Sequence, residues 1–199
     1  MKSIKKKVLC AALIGGVLIS GFNLSAANAA PRIFDDLKTG YKLLHTMTFV
    51  PHTSFGDETV TQFNHALYEW NAAAGWALMS REPIIRHNSN FYPSNDGNNY
   101  IYKIDHGSQY LAETTWWHYE NSDITTQADI NINPFYPWAN SPQSGYYDVW
   151  SAFLHEAGHV AGLNDNPYDP DSAMYDNLDT GESKRTLDET DEAILNTIY

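Results

Sequence analysis

The chain has 199 residues, 43% of them hydrophobic, and carries 12 Lys and Arg against 24 Asp and Glu, for a formal net charge of −12. A chain this acidic repels phosphate backbones, which argues against nucleic acid as a partner. A single cysteine excludes an intramolecular disulfide. The length suffices for one domain with its own core, and no internal repeat or low-complexity tract indicates a second.

The N-terminal residues have the pattern of a secretory signal peptide. Lys2 and the lysines at 5–7 precede an apolar run from Val8 to about Leu24, and Ala27-Asn28-Ala29 has the small-x-small form of a cleavage site. The pattern predicts a signal peptide over 1–29, a single catalytic domain over 30–199, an extracellular location and no stable membrane association after cleavage. An uncleaved anchor is the alternative.

Removal of that segment changes the charge balance of the chain. Residues 1–29 contain four of the 12 basic residues and no acid, so the remainder has 8 basic against 24 acidic residues, a net charge of −16. They also contain Cys10, so no thiol remains as a nucleophile. Surface calcium is compatible with so acidic a chain, although the charge by itself does not show it.

Secondary-structure patterns along the rest of the chain predict strands before and between helices. Strands are predicted at Tyr41–Val50, Pro83–Arg86, Tyr100–Ile104, Leu111–Tyr119 and Ala128–Asn133. Apolar residues three and four apart give a helical pattern from Glu58 to about Met79, with Asp57 as the predicted cap and Asn71–Gly75 as the predicted end of the helix. Asp148 is the predicted cap of a second, buried helix. A Thr186-x-x-Glu189 capping box predicts a short final helix that carries Ile194, Leu195 and Ile198 inward.

The most informative segment is the run His155-Glu156-Ala157-Gly158-His159-Val160-Ala161-Gly162-Leu163-Asn164-Asp165. On a helix, His155 and His159 project from one face, so that two imidazoles can share one metal ion. Glu156 directly follows His155 and so lies one position further around the helix, where its carboxylate can take a proton from a metal-bound water. Gly162 allows the chain to leave the helix sharply, and the turn can return Asp165 as a third ligand. This pattern predicts a zinc hydrolase site.

Two alternatives for the third ligand stay open at this point. Asp165 can instead cap the turn, or bind calcium together with Asp169 and Asp171, although these acids do not match an EF-hand loop. In a different zinc architecture the third ligand is a Glu about twenty residues after the second His, and Glu182 is the nearest. The turn-like residues around Gly181 do not favour a helix there, which argues against Glu182 as the ligand.

The order of elements and the extended motif resemble the metzincin clan of zinc endopeptidases, and most closely its small matrixin-like and snapalysin-like bacterial members. The resemblance implies an α+β fold with a twisted, mostly parallel mixed sheet of about five strands, one antiparallel edge strand, about three helices and a zinc cleft. It also implies a tight turn beneath the metal, for which Ser172-Ala173-Met174-Tyr175 is suitably placed, with Met174 as its methionine.

The same resemblance implies that substrate lies extended along an edge strand near Leu111–Thr115. Most of the clan has His at the position of Asp165. The snapalysin-like group is the one that resembles this chain in having Asp there. Tyr175 follows the methionine directly rather than two residues later, so it is a candidate only for the cleft wall. His118, near the predicted rim, is expected to be merely exposed rather than to contact substrate.

These features together predict a secreted, monomeric zinc metalloendopeptidase that acts on protein or peptide substrates. His155, His159 and Asp165 are the expected zinc ligands, and Glu156 is the expected general base. Two other functions remain possible from the sequence: a secreted binding module that has lost catalysis on the same scaffold, and a zinc amidase that acts on cell-wall peptides.

Overall fold

The computed structural model describes residues 3–10, 35–90 and 93–199. The helices in these ranges are α1 (Asp57–Ala74), α2 (Val149–Ala161) and α3 (Glu189–Ile198). The strands are β1 (Ser3–Cys10), β2 (Met47–Pro51), β3 (Met79–Arg81), β4 (Asn99–Tyr102), β5 (Ala112–Tyr119), β6 (Thr125–Ile132), β7 (Trp138–Ala139) and β8 (Tyr147–Asp148). No helix in the described ranges is long and apolar enough to cross a membrane. The predicted cleavage point after Ala29 lies outside the described residues.

The main sheet has the strand order β1-β5-β6-β4-β2-β3. Strands β3, β2, β4 and β6 are mutually parallel, and β5 pairs antiparallel with β6. The predicted α+β class, with a mostly parallel sheet and one antiparallel strand, is therefore confirmed. Ser3–Cys10 pairs antiparallel with β5 on its other side, so β5 is an edge strand only of the chain from residue 35 onward.

Helices α1 and α2 pack together against one face of the sheet. Ile130 and Ile132 of β6 face this core and are buried, as are Phe63 and Trp70 of α1. The indole Nε1 of Trp70 donates to the carbonyl oxygen of Leu154 at 2.8 Å, which joins α1 to α2 inside the apolar layer. The helix that carries the metal motif is thus held between α1 and the sheet.

The opposite face of β6 is polar and nevertheless buried. Alternate side chains from Gln127 to Asn133 on this face bond the backbone of residues 97–106, a stretch that includes the neighbouring strand β4. The acceptors include Gln127 for Gly97 N, Asp129 for Tyr100 N, Asn131 for Ile104 N and Asn133 for His106 N, at 2.7–3.3 Å. The strict alternation of this strand therefore separates an apolar core face from a polar face whose side chains are hydrogen-bonded.

One predicted strand is wrong. Pro83–Arg86 forms no strand, and Ile84 is 87% exposed. The strand is instead β3, immediately before it, because the Asn71 side chain bonds both backbone groups of Met79, accepting from its N–H at 2.9 Å and donating to its carbonyl at 2.7 Å. These two bonds from α1 place Met79, rather than the isoleucines, beside β2.

Two predicted helix starts are displaced along the chain. Gly56, not Asp57, is the N-cap of α1, and the Asp57 carboxylate pairs with Arg86 at 3.0 Å. The capping box of α3 is formed by Asp188 and Asp191 rather than by Thr186 and Glu189. An Asp side chain is as good an N-cap acceptor as Thr, so the later pair begins the helix.

Candidate metal centre

Local sequence explains why the motif helix begins and ends where it does. Asp148 caps α2, as predicted, because its carboxylate accepts a hydrogen bond from Ser151 N at 3.0 Å. Arg185 holds the same carboxylate with two further hydrogen bonds. Gly162 ends the helix with φ 105°, in the left-handed region that the sequence predicted for it.

Three side chains of the motif converge on one point. The Nε2 atoms of His155 and His159 are 3.0 Å apart, and the Oδ1 atom of Asp165 lies 3.1 Å from the first and 3.5 Å from the second. Within the described residues, this is the group of His and carboxylate side chains whose ligand atoms lie close enough to hold one metal ion. Ligands about 2.0–2.1 Å from a tetrahedral zinc are about 3.3 Å apart, and the three separations bracket that value.

The hydrogen bonds of both imidazoles favour a cation at this point. His155 Nδ1 lies 3.0 Å from the carbonyl oxygen of Ala173, and His159 Nδ1 lies 2.9 Å from that of Leu163. Because a carbonyl only accepts, each Nδ1 carries the proton, and each Nε2 of a neutral ring then presents a lone pair. Two lone pairs and a carboxylate oxygen repel one another unless a cation lies between them, so the donor set fits a metal ion.

Contacts outside the motif place Asp165. The amide nitrogen of the Asn164 side chain donates to the carbonyl oxygens of Asp36 at 3.0 Å and Lys38 at 2.8 Å, and Asn164 N donates to Leu37 O. This clamp fixes the turn after Gly162. Burial alone would raise the pKa of Asp165, but hydrogen bonds from His155 and His159 and positive charge on these two side chains outweigh burial and hold that pKa below its usual range. A cation bound between the two Nε2 atoms and the carboxylate would act in the same direction. The carboxyl is therefore ionised, as a metal ligand must be.

Glu156 is fully buried beside these groups. Its Oε2 atom accepts a hydrogen bond from Thr114 Oγ1 at 2.6 Å, and its Oε1 atom is buried without a hydrogen-bond partner in the described part of the chain. Burial raises the pKa of Glu156 to about 8, although the nearby His155 and the Thr114 hydrogen bond act in the opposite direction. A carboxyl with such a pKa can accept a proton and return it near neutral pH.

The turn around Met174 lies directly against α2. Tyr175 N donates to Ser172 O at 3.2 Å, and the Met174 side chain is fully buried. A Cβ atom added to Gly158 would overlap Met174 Sδ and approach Trp70 Cζ2 to 2.6 Å. The glycine of the motif therefore lets this turn and α1 reach the helix backbone, between the two histidines.

Sequence reasoning missed a buried carboxylate that supports this turn. Asp191 of α3 accepts hydrogen bonds from Ser172 Oγ at 2.6 Å and from Ala173 N at 2.8 Å. The carbonyl of Ala173 in turn accepts from His155 Nδ1. Asp191 therefore orients His155 through the backbone of one residue, Ala173. An Asp in an amphipathic helix gave no signal of this role, just as Thr114 gave none in a β-prone strand.

The other residues that the sequence offered as metal ligands or substrate contacts make different interactions. Glu182 pairs with Lys184 Nζ at 2.9 Å and accepts from Asp179 N at 2.8 Å, so it is no third ligand in this structure. The Asp169 carboxylate accepts from Asp171 N and Thr190 Oγ1, which orders the loop before Met174. His118 is only 4% exposed and stacks on Tyr41, which corrects the expectation of an exposed rim histidine.

Comparisons with known proteins give little further information. No protein-family model matches the chain, and no curated protein matches it. Among solved structures, 28 chains match. One of them is high choriolytic enzyme 1, a hatching enzyme zinc-protease from Oryzias latipes (Medaka fish), with a TM-score of 0.42 and 11% identity over 87% of this chain and 96% of that chain. A likeness at this level assigns neither a family nor an activity to the chain.

Proposed function

We propose that this chain is a secreted zinc metalloendopeptidase, with His155, His159 and Asp165 as the zinc ligands. The observation that carries the proposal is the convergence of three ligand atoms within 3.0–3.5 Å beside a buried, partly unpaired carboxylate. A structural zinc site is commonly closed by four protein ligands, whereas three leave a position for water or substrate. Zinc bound there would polarise the scissile carbonyl and make a water easier to deprotonate.

Residues of the chain itself would carry out the other steps of the reaction. Glu156 Oε1 would take the proton of the attacking water, and the same carboxyl group would then pass that proton to the leaving amine. Ala173 and Leu163 keep Nδ1 of the two histidines protonated, so that both Nε2 atoms remain free as ligands. Asp165 contributes a negative charge that partly offsets the charge of the cation.

The substrate would bind along β5. An extended peptide would add a strand to β5 near Leu111–Thr115, with its backbone paired to the strand. The antiparallel pairing of Ser3–Cys10 along all eight residues of β5 supports this, because it shows that the strand accepts a further neighbour. The acidic composition, with a net charge of −12, supports neither a nucleic-acid partner nor a stable association with anionic lipid.

Replacement of Glu156 by Gln tests the proposal. We expect Glu156→Gln to lose casein or gelatin hydrolysis by at least about a hundredfold, because general base catalysis contributes about that much, while zinc stays bound. Zymography and metal analysis of the purified proteins measure both, with the exposed Glu192→Gln as the matched control. A fully active, zinc-loaded Glu156→Gln variant would overturn the mechanism.

The same assay distinguishes the other functions. A chelator should abolish hydrolysis by the wild-type protein, and re-addition of zinc should restore it. A wild-type protein that binds zinc and cleaves neither protein nor peptidoglycan fragments would be a binding module, and one that cleaves only the fragments would be an amidase.

A further inference from the structure

The hydroxyl of Thr114 makes a contact with Glu156 that joins two distant parts of the chain. Thr114 is the third residue of β5 and Glu156 lies in α2, 42 residues away, yet Oγ1 and Oε2 are 2.6 Å apart. Both residues are fully buried. A hydrogen bond to a carboxylate in a dry site is short and stronger than a bond between neutral groups, so this contact restrains the carboxyl group.

The bond leaves the two carboxylate oxygens in different situations. A hydroxyl has one proton, and Thr114 Oγ1 lies nearer to Oε2 than to the Glu156 carbonyl oxygen, which is 3.0 Å away. Oε2 is therefore occupied, whereas Oε1 has no partner within the described residues. A general base needs one oxygen free to accept a proton and a fixed orientation of the group, and this arrangement provides both.

We propose that Thr114 is a positioning residue that holds the Glu156 carboxylate with Oε2 engaged and Oε1 free to receive the proton of the attacking water. The inference rests on the proposed function and adds to it a residue outside the motif. The backbone of Thr114 is itself held by the sheet, opposite Ile130 of β6. The base is thus aligned by the same strand along which the substrate is proposed to lie.

Three variants test this role in the zinc-loaded full chain. Thr114→Val keeps the shape of the side chain and removes the hydroxyl, whereas Thr114→Ser keeps the hydroxyl. Thr125→Val, on the neighbouring strand and also buried, is the matched control. We expect Thr114→Val to lower kcat about 10- to 100-fold, the cost of a hydrogen bond to a charged group, with KM and zinc affinity within about twofold of wild type. Thr114→Ser should recover most of kcat, and Thr125→Val should not change it.

A second measurement does not depend on activity. The unfolding free energies of Thr114→Val, Glu156→Ala and the double variant form a double-mutant cycle. We expect the two changes to be non-additive if the hydroxyl bonds the carboxylate. Additive changes would show that the contact is absent and would overturn the inference.

The outcomes separate the inference from the proposed function. A wild-type enzyme that is active and depends on Glu156, together with an unchanged kcat for Thr114→Val, overturns the role of Thr114 alone. A loss that falls on KM or on zinc affinity, or that Ser does not rescue, also overturns it, because the hydroxyl would then serve binding or folding. A wild-type protein without hydrolytic activity overturns both.

Discussion

Gly158 is the residue at which the motif helix comes closest to the Met174 turn. A Cβ atom there would overlap Met174 Sδ and press on Trp70, whose indole is fixed by its bond to Leu154. Alanine favours a helix over glycine by about 1 kcal/mol, but overpacking of a filled core costs about 1–3 kcal/mol. The close contacts on two sides make the second effect the larger.

We therefore expect Gly158→Ala to lower the free energy of unfolding, by up to about 2 kcal/mol net of the helix preference. Urea denaturation of the purified protein measures this. Gly56→Ala is the control, because no atom lies within 4 Å of its added Cβ, so that its cost is limited to the preference of an N-cap for Gly over Ala, about 0.5–1 kcal/mol. A Gly158→Ala variant as stable as the wild type would show that the turn does not press on the helix.

The proposed role of Asp165 as the third zinc ligand can also be tested directly. Its replacement by Ala removes one of three ligand atoms and a negative charge. We expect zinc affinity to fall by more than the roughly 10–100-fold that follows loss of a ligand's outer hydrogen-bond partner. Competition with a chromophoric chelator measures it, with the exposed Asp171→Ala as the control. Equal zinc affinity for wild type and Asp165→Ala would exclude Asp165 as the third ligand.

At the scale of elements, β6 is the strand whose chemistry differs most between its two faces. Its apolar face forms the core, and its polar face binds the backbone of the chain from 94 to 110. Asp129 accepts from Tyr100 N through Oδ1, while its Oδ2 is buried without a partner in the described residues. Burial raises the pKa of Asp129 to about 7, since the charged form lacks solvent.

This pKa predicts how the stability of the protein depends on pH. The folded state binds the Asp129 proton more tightly than the unfolded state, so the stabilising effect is complete below about pH 4 and is lost as pH rises through about 7. Asp129→Asn removes this titration. The wild-type minus variant difference in unfolding free energy should fall between pH 4 and 7, by up to about 4 kcal/mol, and then level off. Denaturation at several pH values measures it, and a flat difference would contradict the prediction.

At the scale of the whole molecule, the N-terminal segment covers the free side of β5. Ser3–Cys10 pairs with all of β5, with Val8 opposite Thr114. The segment carries a run of three lysines, whereas the chain from residue 30 has a net charge of −16 from 8 basic and 24 acidic residues. Backbone pairing and charge therefore both favour its contact with the rest of the chain.

We expect the chain that begins at Ala30 to cleave peptides with a higher kcat/KM than the chain that retains residues 1–29, because the proposed substrate strand is then free. Kinetics of the two purified forms measure the effect. A synthetic peptide of residues 3–10 should inhibit the shorter form more than a scrambled peptide of the same composition. Equal kcat/KM for both forms would show that the segment does not compete with substrate.

Much of the fold was predictable because its signals are local. The α+β class, the strands near residues 47–51, 99–102 and 125–132 and the cap of α2 by Asp148 all follow from patterns within a few residues. The failures occurred where a side-chain hydrogen bond to the backbone, rather than the apolar pattern, set the bounds of an element. Asn71 moved the second predicted strand to Met79–Arg81, and Asp191, which also bonds Ser172 and Ala173, moved the start of α3.

The same division holds for the site. The sequence by itself determined that His155 and His159 share a face with Glu156 one residue round, because helical periodicity requires it, and that Gly162 ends the helix. Only the tertiary structure decided which way Asp165 points and which carboxylate oxygen of Glu156 stays free. Those outcomes depend on Asn164 reaching residues 36–38 and on Thr114 meeting α2. Such contacts join segments between 42 and 128 residues apart, and no periodicity along the chain records them.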